Sequence, residues 1–322
     1  MSGKLGLGFL GDPSIHEMVR LSRLAEEAGF ESIWTAETRF ARDAITTATA
    51  IALATTKVRV ATAVVNVYTR GAALLGVTMA TLDEAANGRA ILGIGPGSPL
   101  VLQPQGYAFE QPLSRLREYT AAVRAVLKGD SIRGNHVTID GVRLDFQPPR
   151  AEIPIYFGVT GPRACQLAGE IADGVILNAF TPVDYTRRAV ENVRSAAERA
   201  GRDPSQIEIT GAVVVALDRP GRPGRETVAP LVATYLTRFP NIAKESGVPE
   251  ETLAKYRAIA AERGVQYLGE LLPSEIIDRL TVTGTPEQCR ARIDEYRQAG
   301  IELPILFPAS SEIEPLIALA QA

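Results

Sequence analysis

The feature that most constrains this chain is a rhythm. A short apolar run is followed by a helix-like stretch, and the pair recurs about eight times along the sequence. The runs fall at 5–10, 32–35, 58–65, 90–94, 153–157, 174–177, 207–217 and 303–307. Strands separated by helices build a parallel sheet with both faces covered, so the strands read as continuously apolar rather than alternating. Eight such units favour a closed α/β barrel, the (β/α)8 TIM barrel, over an open doubly wound sheet. At 322 residues the chain exceeds the roughly 250 of a plain barrel. The excess falls where the rhythm breaks, at 218–273, which opens on Arg219-Pro220-Gly221-Arg222-Pro223-Gly224 and continues as helix-like stretches. The expectation is one barrel domain over 1–322 with a helical insertion at about 218–273.

Local signals fix some boundaries. Ser14 and Glu17 have capping-box spacing, and Gly29 supplies a helix stop. Thr285-Pro286-Glu287-Gln288 is a stronger helix start, with Thr as cap, Pro in first place and Gln as the reciprocal partner. Asp140-Gly141 predicts a hairpin over 136–146. Gly6-Leu7-Gly8-Phe9-Leu10-Gly11 has the G-x-G-x-x-G spacing of a dinucleotide-binding sheet. Its glycines, however, lie inside the first apolar run instead of between a strand and a helix.

Composition bounds the function. The 34 Lys and Arg against 37 Asp and Glu leave a net charge of −3 without like-charge blocks, which argues against a nucleic-acid surface. No apolar run approaches the 18 or so residues of a membrane span, and the first ten residues carry no signal pattern. Cys165 and Cys289 form no zinc or disulfide spacing, and two histidines exclude a histidine metal cluster; a reducing cytoplasm fits, and no metal is expected. A small-molecule substrate remains.

Barrel chemistry sits where strands end and loops begin. After the second run stand Glu37 and Thr38. After the third comes Val65-Asn66-Val67-Tyr68-Thr69-Arg70, an amide, a phenol, a hydroxyl and a guanidinium in one short loop. After the fourth, Gly93-Ile94-Gly95-Pro96-Gly97-Ser98 offers glycines that let a flat ligand approach the backbone. After the fifth, Gly158-Val159-Thr160-Gly161-Pro162-Arg163 joins strand to helix, an arrangement that favours a phosphate or an ordinary turn. Asn178 follows the sixth run. No serine–histidine–acid set and no Walker loop occur. The residues alone point to a barrel enzyme with a planar, phosphate-bearing cofactor.

These segments, with Ala80-Thr81-Leu82-Asp83-Glu84, 87–97, 153–162 and 168–178, resemble the bacterial-luciferase-like superfamily of flavin and deazaflavin oxidoreductases over nearly the whole chain. Within it the chain looks most like the methylenetetrahydromethanopterin reductase-like branch that uses coenzyme F420. The resemblance implies a luciferase-like barrel, a homodimer, and hydride transfer at carbon 5 of a reduced deazaflavin. It implies a non-prolyl cis peptide at Ala63-Val64, with Val65 and Asn66 beyond it, backing the cofactor ring. It implies that Gly95, Pro96 and Gly97 lie beside the ring. It further implies that Gly158, Val159, Thr160, Gly161, Pro162 and Arg163 hold the phosphate, with Asn178 nearby. Relatives commonly carry Asp-His where this chain has Glu37-Thr38, and an acid where it has Ser98. Glu37 and Ser98 are therefore the catalytic candidates. The alternatives are an FMN-dependent monooxygenase of the same superfamily and a non-catalytic cofactor carrier.

Overall fold

The computed structural model describes residues 3–10, 13–37 and 40–320. Eight parallel strands close into a ring: β1 (Gly6–Phe9), β2 (Ser32–Thr35), β3 (Arg59–Thr62), β4 (Ala90–Gly95), β5 (Ile155–Val159), β6 (Gly174–Leu177), β7 (Glu208–Leu217) and β8 (Leu303–Pro308). Neighbours in sequence pair throughout, and Gly6 opposite Ile305 joins β1 to β8 and closes the barrel. Seven strands are followed by the principal helices α1 (Ile15–Glu27), α2 (Ala44–Ala54), α3 (Ala72–Ala85), α4 (Pro112–Lys128), α5 (Pro162–Ile171), α6 (Val183–Arg199) and α7 (Pro286–Gln298).

The strand period of two sorts side chains cleanly. Leu7, Phe9, Ile33, Leu92, Ile94, Phe157 and Val175 point outward and are buried under the helices. Trp34, Ala61, Ile91, Tyr156, Ile176, Val214, Ile305 and Phe307 point inward and fill the barrel. Three of the inward side chains are large rings, and glycines make room for them. A Cβ on Gly6 would lie 2.8 Å from Trp34 Nε1, one on Gly8 2.4 Å from Phe307 Cε1, and one on Gly174 2.7 Å from Tyr156 Cε2. Gly6 and Gly8 are thus barrel-filling positions. This accounts for the dinucleotide-like spacing of the first strand; Gly11 and Asp12 lie outside the described residues.

Helix starts follow the local chemistry. The Ser14 hydroxyl accepts from Glu17 N and Asp43 Oδ1 accepts from Thr46 N at 2.7 Å, while Thr285 and Gln288 cap each other reciprocally. Two expectations need correction. The hairpin pairs Ile132–Arg133 with Thr138–Ile139 and turns at 134–137, upstream of Asp140-Gly141. There the Glu118 carboxylate of α4 accepts from His136 N at 2.6 Å, so a tertiary contact overrides the local turn signal. The single run over 58–65 is also two pieces: β3 ends at Thr62, the Ala63–Val64 peptide is cis, and Val65–Asn66 pairs separately with the end of β4.

The amino-terminal end of the barrel is closed by polar groups. Arg59 makes a two-pronged bond to Glu208, at 2.8 and 3.0 Å, and reaches Glu31 at 2.8 Å. The Tyr156 hydroxyl also donates to Glu208. Between β7 and α7 run helices Gly224–Arg238, Pro240–Glu245, Glu250–Leu271 and Ser274–Leu280. Their buried Val228, Val232, Leu236 and Leu268 form one apolar cluster with the barrel interior. A short strand that sequence patterning did not reveal, Val282–Gly284, pairs with Val215, Ala216 and Leu217. It extends the β7 edge that β6 leaves at Gly211.

Candidate active site

A cavity of about 330 Å³ opens at the carboxyl ends of the strands. Strands β2 to β8 or the loops just past them all contribute to it. Its inner wall is apolar: Ala63, Val64, Ile176, Ala212 and Phe307. Its rim is polar backbone and polar side chains: Glu37 beyond β2, Asn66 beyond β3, Gly95 at the end of β4 with Pro96, Gly97 and Ser98 beyond it, and Asn178 beyond β6. Gly158, Val159, Thr160 and Gly161 form the β5 side, with Ala164 from α5. The insertion adds Asn241, and the short helix Pro99–Leu102 adds Val101 and Leu102.

Most of the sequence-derived candidates therefore meet at one place, and three do not line it. Val65 is fully buried in the core outside the barrel. Pro162 and Arg163 are exposed at the start of α5, and the Arg163 side chain makes no hydrogen bond or ion pair among the described residues. Gly93, read as a place of ligand approach, serves packing instead: a Cβ there would sit 1.8 Å from the Thr62 carbonyl oxygen. Thr38 lies outside the described residues. The sequence reading missed Ile176, Ala212, Phe307, Val101, Leu102, Ala164 and Asn241. The first three are inward-facing strand positions, a signal that period-two counting carries once the inward register is known.

The β3 loop is organised by Asn66. Its side-chain oxygen accepts from Tyr68 N and Thr69 N at 2.9 and 3.0 Å, and its amide donates to Thr69 Oγ1 at 2.9 Å. This local turn presents Arg70 toward β2. There Arg70 Nε and Nη2 both donate to Glu37 Oε2 at 3.2 Å, and Nη2 also pairs with Asp43. Burial pushes the Glu37 carboxyl above its ordinary value; Arg70 pulls it back in part, and the negative charge of Asp43 adds to the rise. Ser98 caps the start of its helix through backbone only, leaving its hydroxyl at the rim. The β5 loop is held by the Tyr185 hydroxyl donating to Thr160 O at 2.5 Å, and by the Asn178 amide donating to Thr160 Oγ1 at 3.3 Å. Gly161 caps α5 with no side-chain bond, so the positive helix end faces the cavity uncovered by a side chain.

A second cavity of about 330 Å³ adjoins the first and shares Glu37, Asn66 and Val101 with it. A larger one, about 560 Å³, lies at the opposite end, beside Pro154 and Asp173 just ahead of β5 and β6. Its arginines are already engaged, Arg124 with Asp173 and Ile171 O, Arg202 with Gly169 O and Ala172 O. In barrels that face serves stability. Among the described residues no cluster of His, Cys, Asp and Glu could hold a metal ion. Among them also, no helix is long and apolar enough to cross a membrane.

A closed (β/α)8 barrel with its polar-rimmed cavity at the carboxyl face is an enzyme scaffold. The chain belongs to the luciferase-like monooxygenase family, whose model it matches over residues 3–303. It is 31% identical over 300 residues to the 5,10-methylenetetrahydromethanopterin reductase of Methanolobus tindarius, covering 92% of this chain and 91% of that one. The reductase of the same name from Archaeoglobus fulgidus is 28% identical over 305 residues, again covering 92% and 91%. In fold it is similar to the coenzyme F420-dependent tetrahydromethanopterin reductase of Methanopyrus kandleri, with a TM-score of 0.89 over 100% of this chain and 98% of that one, at 24% identity.

Proposed function

We propose that the protein is an F420-dependent oxidoreductase that moves a hydride between the deazaflavin and a small organic substrate. The observation that carries this reading is kinship along 92% of the chain with 5,10-methylenetetrahydromethanopterin reductases. The cavity fits the group. It has an apolar wall for a flat ring and, on the β5 side, the open amino-terminal end of a ten-residue helix for an anion. Bound there, the deazaflavin supplies a hydride at its carbon 5. Val64 and Ala63 would back the ring; Gly95, Pro96 and Gly97 would flank it. The backbone N–H groups of the 158–163 loop, Pro162 having none, and the α5 dipole would hold the phosphate, with Arg163 adding charge from outside. Glu37 is the proton-carrying group of the site, and Ser98 is placed to hydrogen-bond the ligand at the rim.

We also read the chain as a single barrel domain carrying the 218–273 insertion, acting in the cytoplasm as a homodimer. The helices α2 and α3 support the dimer. They pack side by side and expose Leu53, Leu74 and Val77. Large apolar side chains exposed on neighbouring helices mark an interaction surface. Light scattering after size exclusion tests this, with Leu74→Glu expected to yield monomer.

Titration with F420 and, separately, with FMN tests the cofactor. The sole tryptophan, Trp34, lies in the barrel interior and gives the protein signal. Tight F420 binding with weak FMN binding supports the proposal; the reverse moves the protein to the flavin-dependent, oxygen-using branch.

A further inference from the structure

Glu37 borders two cavities, and Arg70 is shared between it and a second carboxylate. Both bonds from Arg70 to Glu37 end on one oxygen, Oε2, at 3.2 Å, so the pairing is not the fork-to-fork arrangement that neutralises a carboxylate most fully. The same Nη2 pairs with Asp43 Oδ2. Asp43 is itself fixed, because its other oxygen accepts from Thr46 N at the start of α2. Arg70 is fixed from a second helix, since its carbonyl accepts from the Tyr119 hydroxyl of α4. Among the described residues, the titratable groups around Glu37 are therefore Arg70, Asp43 and Tyr119, with Arg42 lining the adjoining cavity.

We infer that Arg70 and Asp43 are a positioning pair for Glu37. One guanidinium divided between two carboxylates holds Glu37 in the cavity wall without neutralising it, so that Glu37 can exchange a proton with the bound ligand. The inference rests on the proposed role of Glu37 as the acid of this site. In the reducing direction a reduced deazaflavin bound in the cavity would supply a hydride to the carbon of a substrate C=O or C=N group. The π pair moves onto the oxygen or nitrogen, and that atom takes the proton of Glu37. Glu37 is left as a carboxylate beside Arg70, whose charge offsets the one just formed. In the oxidising direction the same carboxylate takes the proton back. Removing Asp43 would give Arg70 wholly to Glu37 and favour the ionised form of its carboxyl.

The test is carbon-13 NMR of the protein labelled at the glutamate carboxyl carbon, titrated with pH, with the Glu37 signal identified by its loss in Glu37→Gln. Arg70→Met should move the Glu37 midpoint up by about one pH unit, and Arg70→Lys should move it less. Asp43→Asn keeps an oxygen to cap α2 and should move the midpoint down by a comparable amount. Opposite movements support the pair. A midpoint unmoved by Asp43→Asn, or moved upward, overturns it, even if Arg70→Met fails to fold. The titration is read on the protein alone. Failure to bind F420 therefore sinks the cofactor reading without touching this one, and a flat titration does the converse.

Discussion

The side chain of Val64 occupies the space in which Gly158 would carry one: a Cβ built on Gly158 stands 2.9 Å from Val64 Cγ1. Gly95 meets the same side chain from β4, at 2.7 Å from Cγ2. The two glycines at the cavity rim are thus required by a neighbour inside the chain, whatever else binds there. Gly158→Ala should destabilise the protein by about 1–3 kcal/mol, because a β-branched side chain has few rotamers into which to retreat. Val64→Ala in the same chain should recover most of that loss. Thermal unfolding of the two variants and the pair checks it, and strict additivity would count against the contact.

Glu208 ties Arg59 and Tyr156 together under the barrel. Burial raises its carboxyl, but the bonds from Arg59 and Tyr156 outweigh this and leave it below the ordinary value. Its folded form therefore binds protons less readily than its unfolded form. The stability it supplies is complete above the usual carboxylate range and fades as pH falls through the depressed folded value. Glu208→Ala should cost about 3 kcal/mol at pH 7, the low end for a broken pair because Arg59 retains some contact with water. Urea midpoints at pH 7 and pH 3 should differ less in the variant than in the parent.

Glu37 works in the other direction. Its folded carboxyl is raised, so its contribution to stability is complete below the ordinary carboxylate range and is lost as pH rises through the folded value. Glu37→Gln should then unfold at a higher temperature than the parent at pH 8, with the gap closing by pH 4. Turnover should fall by about 100-fold. A variant that is as active as the parent at every pH removes Glu37 from the chemistry.

Arg163 is exposed beside the start of α5 and outside the cavity wall. Its charge acts across water, so Arg163→Ala should weaken F420 binding only about two- to fivefold, and the difference should shrink in high salt. Titrations at low and high ionic strength measure both. A loss of a hundredfold would mean direct contact with the ligand.

The strand–helix rhythm made the barrel legible because buried parallel strands and capped helices are written locally, as at Ser32–Thr35 and at the reciprocal cap of Thr285 and Gln288. The loops beyond the strands were legible for the same reason. What stayed hidden depends on distant partners. Gly95 and Gly158 answer to Val64, Gly93 to the Thr62 carbonyl, and the turn at 134–137 to Glu118. Ile176, Ala212 and Phe307 reach the cavity only because the ring closes and turns them toward one axis. Asn241 comes from an insertion whose fold over the mouth no local pattern encodes.

The seat of Phe307 over Gly8 has a consequence for how such a site can be reshaped. The ring lines the inner wall of the cavity and is carried by a strand, whereas Glu37, Pro96, Gly97, Ser98 and Asn178 at the rim ride on loops. Depth and entrance are thus separate variables. A smaller residue at 307 should enlarge the chamber at its inner wall and leave the loop residues of the rim in place. A side chain at position 8 would need that smaller residue first. Variation in substrate length and variation in substrate polarity can therefore arise in this scaffold by independent steps.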